Sequence, residues 1–442
     1  MRGKHRTGGA VLGLALCATL GAVVYAGIHP GIVGGPAVGV RDAALIGVVA
    51  AAWRTGRFFP SGAASGRHSE ARDEVGEEVV WECDAAGRFT HASPQCLELL
   101  GYAPEEARSL SLFDLTHPDE HALVTHLLST GRGWRRRPFR CVTKDGAQVW
   151  LRSTAVARAD GQGRFSGLLG ASHGVWEAPP GEPVRTSAAI LRVLADGALR
   201  TAFQPIVSLA DGRVLGVEAL SRFAVADEGR TAEDWFTDAA RVGLGVDLEL
   251  HAALHALRRA TTLPEDAYVS VNFSPETLLW PGLPEALAQA AIPLSRIVVE
   301  LTEHSAVEDY DALDGALQPL RAAGLRIAVD DAGAGHATFR HILRLAPDLI
   351  KLDRSLISGI DGDPARRALA GAVVALARET RAVVVAEGIE RSEERTALLG
   401  LGVGVGQGYL LGRPSTEERD WHDWHGPGRP HLPAPGLLSA RG

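Results

Sequence analysis

Leu325-Arg326-Ile327-Ala328-Val329-Asp330-Asp331 is an apolar run that stops on paired aspartates. The same event recurs from Phe203 to Pro414, where short apolar runs end and an acidic or amide side chain follows. Working back, Arg296 to Thr302 carries Glu300, with Glu303 just beyond, and Tyr268 to Ser274 carries Asn272. Phe203 to Leu209 and Arg213 to Leu220 read as a hairpin about Asp211-Gly212, the second arm closing on Glu218, Leu220 and Arg222. Working forward, Asp348 to Asp353 supplies Lys351 and Asp353, Ala382 to Ala386 stops at Glu387, and the glycine-rich run Gly402 to Tyr409 contains Gln407. Helical patterns such as Ala312 to Ala323 and Arg366 to Glu379 fall between these runs. Strand and helix alternating over about 210 residues predict an α/β fold, a closed (β/α)8 TIM-like barrel whose polar groups gather where strands end.

A carboxylate after a strand also caps a helix or closes a turn, and one such residue would imply nothing more. Seven strand ends of eight carry a potential ligand here. In a barrel they converge on one mouth, where their charges repel unless cations sit among them. The oxygen donors of Glu218, Asn272, Glu300, Asp330 and Asp331 are hard, which favours Mg²⁺ or Mn²⁺ over zinc. Adjacent aspartates let one carboxylate bridge two ions ~3.5–4 Å apart while the other holds the second, as in in-line phosphoester hydrolysis. Lys351 is suited to orient the attacking water or to offset developing phosphate charge. The reaction class suggested is metal-assisted hydrolysis of a phosphodiester.

Phe203-Gln204-Pro205-Ile206-Val207, Glu218-Ala219-Leu220-Ser221-Arg222, Asn272, Glu300-Leu301-Thr302-Glu303, Asp330-Asp331, Lys351-Leu352-Asp353, Glu387-Gly388-Ile389-Glu390 and Gln407-Gly408-Tyr409 together resemble the signature series of EAL-domain cyclic di-GMP phosphodiesterases. The resemblance spans about residues 186–415, and its specificity lies in the ordered set. It implies hydrolysis of one phosphodiester bond of cyclic di-GMP to the linear dinucleotide pGpG, with two Mg²⁺ or Mn²⁺ ions per site. Carried over by position, Glu218, Asn272, Glu300 and Asp330 resemble the ligands of one ion, and Asp330, Asp331 and Glu387 those of the second. Gln204, Leu220, Arg222 and Gln407 fall where the family contacts the dinucleotide. Lys351 and Asp353 match the pair near the nucleophilic water, Glu387 is again a catalytic position, and Glu303 matches the residue that steadies the loop after strand five. That loop usually reads Asp-Asp-Phe-Gly-Thr-Gly-Tyr, whereas Asp330-Asp331-Ala332-Gly333-Ala334-Gly335-His336 stands here, without the aromatic anchor. The departure bears on loop rigidity, on coupling to the homodimer that the family implies, and on turnover. It keeps open a second class of function, a receptor that binds the nucleotide uncut and signals through a partner protein.

A chain of 442 residues with 46% hydrophobic content is long enough for two to four domains. Its net charge of −8 argues against a binder of DNA or RNA polymers and agrees with a metal site that brings its own positive charge. Cys17, Cys83, Cys96 and Cys141 are scattered, with neither a disulfide framework nor zinc spacing.

Gly8 to Gly27 is a 20-residue uncharged stretch preceded by Arg2, Lys4 and Arg6, and Ala43 to Trp53 is a second, shorter apolar stretch. As a membrane hairpin over residues 1–58, the two would leave Arg2 to Arg6 and Arg54 to Arg57 on one side, which the positive-inside rule makes cytoplasmic. The expectation is an anchor in the inner (plasma) membrane with the rest of the chain in the cytoplasm. A cleaved signal peptide and a single span are the competing readings of the same residues.

After a linker at 59–78, residues 79–176 alternate strand and helix signals as an α+β unit. Val79 to Cys83 and Arg88 to His91 form one predicted hairpin, Phe139 to Thr143 and Val149 to Ala155 another, and Phe165 to Ser172 a last strand. With Leu99-Leu100-Gly101-Tyr102, His117-Pro118-Asp119-Glu120 and Asp145-Gly146 before Trp150, this order resembles a PAS sensor domain, whose ligand these motifs do not name. His126 offers a haem ligand but reads better as a surface or satisfied core histidine, the run Arg132 to Arg140 reads as a solvated edge rather than a contact for anionic lipid headgroups, and His251 and His255 read as solvent-facing. A linker at 177–185 leads to an amphipathic helix, Ala188 to Ala198, capped by Thr186 or Ser187. The barrel domain is assigned to 186–420 and a disordered tail to 421–442.

Overall fold

The computed structural model describes residues 78–175, 183–224, 229–301, 307, 309–332 and 337–422. The proposed anchor over 1–58 and most of the tail lie outside these residues. No helix among the described residues is long and apolar enough to cross a membrane.

Two compact units result. In the first, five strands pair antiparallel in the order β2-β1-β5-β4-β3. They are β1 (Val79–Asp84), β2 (Phe89–Ala92), β3 (Trp134–Val142), β4 (Gln148–Ala159) and β5 (Phe165–Val175), with short helices between Cys96 and Thr130. The arginine run lies on β3, and one member departs from the surface reading. Arg137 is 1% exposed and its Nη2 donates to Ser187 Oγ at 2.9 Å, within the same unit. Ser187 therefore does not cap the next helix, which spans Pro183–Asp196; its hydroxyl donates to the carbonyl of Pro183. A proline needs no N–H partner in a first helical turn, so Pro183 starts the helix upstream of the serine.

The second unit is a closed barrel in the order β10-β11-β12-β13-β6-β7-β8-β9. Its strands are β6 (Leu199–Ser208), β7 (Val214–Phe223), β8 (Tyr268–Asn272), β9 (Ile297–Leu301), β10 (Arg326–Ala332), β11 (Leu349–Leu352), β12 (Val383–Ala386) and β13 (Val405–Gly406). The expected hairpin is present as β6 and β7, but it inverts one strand. β6 runs antiparallel to β7 and to β13, and every other neighbouring pair is parallel.

Side chains alternate faces along a strand, so the barrel interior is layered. Ile206, Tyr268, Val298, Ala328, Leu349, Val385 and Val405 form one buried apolar cluster. Gly216 on β7 leaves room for the Tyr268 ring, which a Cβ there would meet at 2.5 Å. Outward residues such as Val217, Val269, Val299 and Ile327 pack together in a second cluster with residues of the surrounding helices. His251 and His255, expected to face solvent, are half-buried on the helix Gly245–Arg259, and His255 Nδ1 lies 2.8 Å from Thr201 Oγ1. Trp421 is buried against Phe203, their ring centroids 4.9 Å apart, so the ordered chain runs past the expected start of the tail.

The glycine-rich run narrows to two paired residues because the backbone passes very close to the turn after β12. At Gly408, with φ of 157°, an added Cβ would lie 2.2 Å from the backbone of Ile389. Gly408→Ala should therefore destabilise the barrel by about 3 kcal/mol or more. Thermal unfolding of the variant checks this, and an unchanged midpoint would show that the backbone gives way freely.

Candidate active site

Two residues along the barrel axis from the apolar layer lies a polar one. Ser270, Glu300, Asp330, Lys351, Glu387 and Gln407 each follow a member of the apolar cluster by two positions, and Glu218 follows Gly216 in the same way. Gln204 precedes Ile206 by two, because β6 runs the other way. The period-2 alternation of eight strands thus brings side chains 203 positions apart in sequence into contact: Gln407 Nε2 donates to Gln204 Oε1 at 2.9 Å and to Glu218 Oε2 at 2.6 Å.

Lys351 stands at the centre of this layer, 2% exposed. Its Nζ lies 2.6 Å from Glu387 Oε1, 2.8 Å from Glu300 Oε2, 3.2 Å from Asp330 Oδ1 and 3.8 Å from Glu218 Oε1. Burial alone would lower the lysine pKa, but Asp330, Glu218, Glu300 and Glu387 overcome it and hold the ammonium well above its ordinary range. Burial also raises the Glu300 carboxyl to about 8 and that of Glu387 well above the usual carboxylate range, with repulsion from neighbouring carboxylates adding to the shift in both. Ser270 Oγ donates to Glu300 Oε1 from below.

Neighbouring residues of a regular strand point to opposite faces, so Asp330 and Asp331 should not share a site. They do because the backbone departs from strand geometry. Asp331 has a left-handed φ of 57°, which aspartate tolerates better than most residues, and the β10–β11 register breaks between Val329 and Ala332. Carboxylate oxygens of Asp330, Asp331 and Glu387 consequently lie within 4.8 Å of one another. Four carboxyl groups, those of Glu218, Glu300, Asp330 and Glu387, stand about the ammonium of Lys351, and Asp331 joins the group beside Asp330 and Glu387. Hard oxygen donors with that surplus of negative charge fit divalent cations such as Mg²⁺ or Mn²⁺.

The other predicted site residues divide by position. Asn272 is exposed at the mouth, beside Glu300 in strand register. Leu220 is half-buried, and Arg222 is exposed with Nη1 donating to its neighbour's carbonyl at 2.9 Å. Asp353 is turned to its own helix, where Oδ1 accepts from Ser355 N at 2.8 Å. That is the capping role that any strand-end carboxylate offers. Glu303 and residues 333–336 of the altered loop lie outside the described residues; Ala332 is buried. Ser270 was not singled out from the sequence, although it shares an inward face with Asn272 two positions on. Glu249 was also missed. Burial raises its carboxyl, and Oε2 accepts from Ser274 N at 2.8 Å, fixing the chain just past β8.

Comparison with known proteins follows the two units. The family model described as EAL domain matches residues 187–414, and that described as PAS fold matches residues 89–172. An "Uncharacterized signaling protein" of Caulobacter vibrioides is 34% identical over 227 residues, covering 50% of this chain and 28% of that protein. The Cyclic di-GMP phosphodiesterase NbdA of Pseudomonas aeruginosa is 31% identical over 232 residues, covering 50% of this chain and 30% of that protein. The chain therefore spans less than a third of the length of these curated relatives. The solved structure of EAL Enzyme Bd1971, in its cAMP and cyclic-di-GMP bound form, is similar in fold, with a TM-score of 0.51 at 24% identity over 55% of this chain and 69% of that one.

Proposed function

The chain belongs to the EAL domain family, and from that membership we propose that its barrel hydrolyses cyclic di-GMP to linear pGpG. The observation that carries this reading is the convergence of Glu218, Glu300, Asp330 and Glu387 on Lys351, with Asp331 kinked into the same group. The name of the similar phosphodiesterase NbdA supports it. Glu218, Asn272, Glu300 and Asp330 would hold one Mg²⁺ or Mn²⁺, and Asp330, Asp331 and Glu387 a second. Such ions, when bound, supply an ionised water and offset phosphate charge.

The chain's own side chains set the conditions for the reaction. Lys351 keeps the carboxylates of the polar layer from repelling one another, and its permanent charge favours the phosphate. Gln407 ties Gln204 to Glu218, so the dinucleotide-contacting amides and a ligand carboxylate are positioned together. Arg222 and Leu220 face the mouth on alternate positions of β7, where a guanidinium suits phosphate oxygens and an apolar side chain suits a base. Asp353 caps the helix that follows β11, and Glu303, outside the described residues, would steady the loop after β9 as the family resemblance implies. Residues 1–58 would anchor the protein in the inner membrane with the barrel in the cytoplasm, the PAS unit would regulate turnover, and the active form would be a homodimer.

Full-length protein incubated with cyclic di-GMP and Mg²⁺ or Mn²⁺ should yield pGpG on chromatography, and EDTA should abolish it. Nucleotide bound yet uncut under both metals would replace this reading with that of a receptor. Fractionation of cells tests the anchor, since intact chain in the soluble fraction would overturn it. Ser270→Ala takes away a hydrogen bond that orients Glu300. Turnover should fall about 10–100-fold while nucleotide affinity stays within about twofold, and an unchanged rate at subsaturating metal would deny Ser270 a positioning role.

A further inference from the structure

Above the polar layer the β6–β7 hairpin carries on past its neighbours. β8 pairs with β7 no further than Ser270 beside Glu218, whereas β6 and β7 stay paired as far as Leu199 and Phe223. Directly opposed residues of an antiparallel ribbon share a face, and the face alternates along the strand. Three successive pairs therefore lie on the face of the polar layer: Gln204 with Glu218 in the layer itself, then Ala202 with Leu220, then Arg200 with Arg222. Four residues at ~3.4 Å each put the two arginines about 13 Å along the hairpin from the layer, on its open side. The other face is occupied by packing, with Thr201 Oγ1 2.8 Å from His255 and Phe223 stacked on Trp235, centroids 5.1 Å apart.

Like charges directly opposite one another on two strands are unfavourable. Elsewhere in the barrel exposed arginines meet carboxylates, as Arg354 meets Glu390 at 2.9 Å and Arg344 meets Asp311 at 3.2 Å. Among the described residues neither Arg200 nor Arg222 has a carboxylate partner; both are exposed, and Arg222 Nη1 donates to the carbonyl of Ser221. Two guanidiniums held side by side without a counter-charge suit an anion that meets both. We propose that Arg200, which no motif of the signature series includes, joins Arg222 in gripping the phosphate of the cyclic dinucleotide that is not being cut, while the other phosphate lies at the carboxylates. This rests on the reading of the barrel as a cyclic di-GMP site and adds a source of specificity to it. A nucleotide with a single phosphate cannot engage both ends of the site, so the arginine pair selects for a ligand that carries two.

The test is steady-state kinetics of the full chain with cyclic di-GMP and Mg²⁺ or Mn²⁺. Arg200→Gln should raise KM about 10-fold, the value of one charge-assisted hydrogen bond. Its kcat should stay within about twofold, because a contact to the uncut phosphate is the same before and during the reaction. Arg200→Lys keeps the charge without the planar fork and should recover part of the loss. The thermal midpoint of Arg200→Gln should not fall, since the substitution also ends a like-charge opposition. If the parent binds the nucleotide without cutting it, the same ratio of dissociation constants decides, apart from the hydrolase reading. A KM or Kd within about twofold of the parent in Arg200→Gln, a loss confined to kcat, no recovery in Arg200→Lys, or a weaker KM that comes with a lowered midpoint overturns the proposal and leaves the reading of the barrel standing. A parent that neither cuts nor binds cyclic di-GMP overturns both.

Discussion

Lys351→Met should lower the thermal midpoint of the barrel by about 10 °C in EDTA at pH 8.5, and Mn²⁺ should restore most of it. The substitution keeps an unbranched chain in the barrel centre but removes the one ammonium that stands within 2.6–3.8 Å of four carboxylates. Taking one partner from a buried ion pair costs about 3–5 kcal/mol, which in a domain of this size is about 10 °C. The loss should depend on pH with a definite sign. Glu300 already keeps its proton to about pH 8, and without the lysine the carboxyls must hold protons more tightly still. A carboxyl whose folded pKa is raised stabilises the fold where it is protonated and loses that contribution as pH climbs from its unfolded value of 4.5 through its folded one. The variant should thus approach the parent near pH 5 and diverge above pH 7. Equal midpoints at pH 8.5 would sink the view that Lys351 is the counter-charge of the layer.

Glu218→Ala should cut cyclic di-GMP turnover by about 10³-fold or more while leaving the protein folded. Glu218 is 8% exposed, holds Gln407 through Oε2, and presents Oε1 on the side of Lys351. Its removal deletes one proposed ligand and frees Gln407, and with it the tie to Gln204. Glu218→Gln separates the two effects. It keeps a side chain that can accept from Gln407 but carries no charge. Turnover as low as in the alanine variant, with nucleotide binding kept, places the loss in charge at the metal-ligating position. Near-parental turnover in Glu218→Ala would refute the site assignment itself.

Most of the barrel was legible because its strands end in chemistry. Every apolar run from Phe203 to Gln407 became a strand, though the last shrank to Val405–Gly406, since glycines carry no side chain by which pairing can be read. The polar layer was legible as a set of residues and not as a set of contacts. Lys351 reads from its apolar run as a group that orients water or offsets phosphate charge, and only closure of the barrel reveals that four carboxyl groups point at it. Asp331 reads as a ligand from its pairing with Asp330, but the left-handed φ that turns it into the same group leaves no trace in composition. Arg137 shows the opposite limit: within a run of arginines, nothing local marks the one that is buried by a partner 50 positions away. Ser270 was within reach, since alternation alone places it under Asn272.

Closure of the barrel also sets an order of events for its synthesis. β13 is the last strand made, and its partner is the first, Val405 lying beside Ser208 and Gly406 beside Val207. Nearly two hundred residues must leave the ribosome after β6 before its second neighbour exists, and until then β6 and β12 each present an unpaired edge. Such edges recruit other chains. A polypeptide stopped before Val405 should accordingly be insoluble rather than merely inactive, with the two residues of β13 acting as the clasp that ends its exposure.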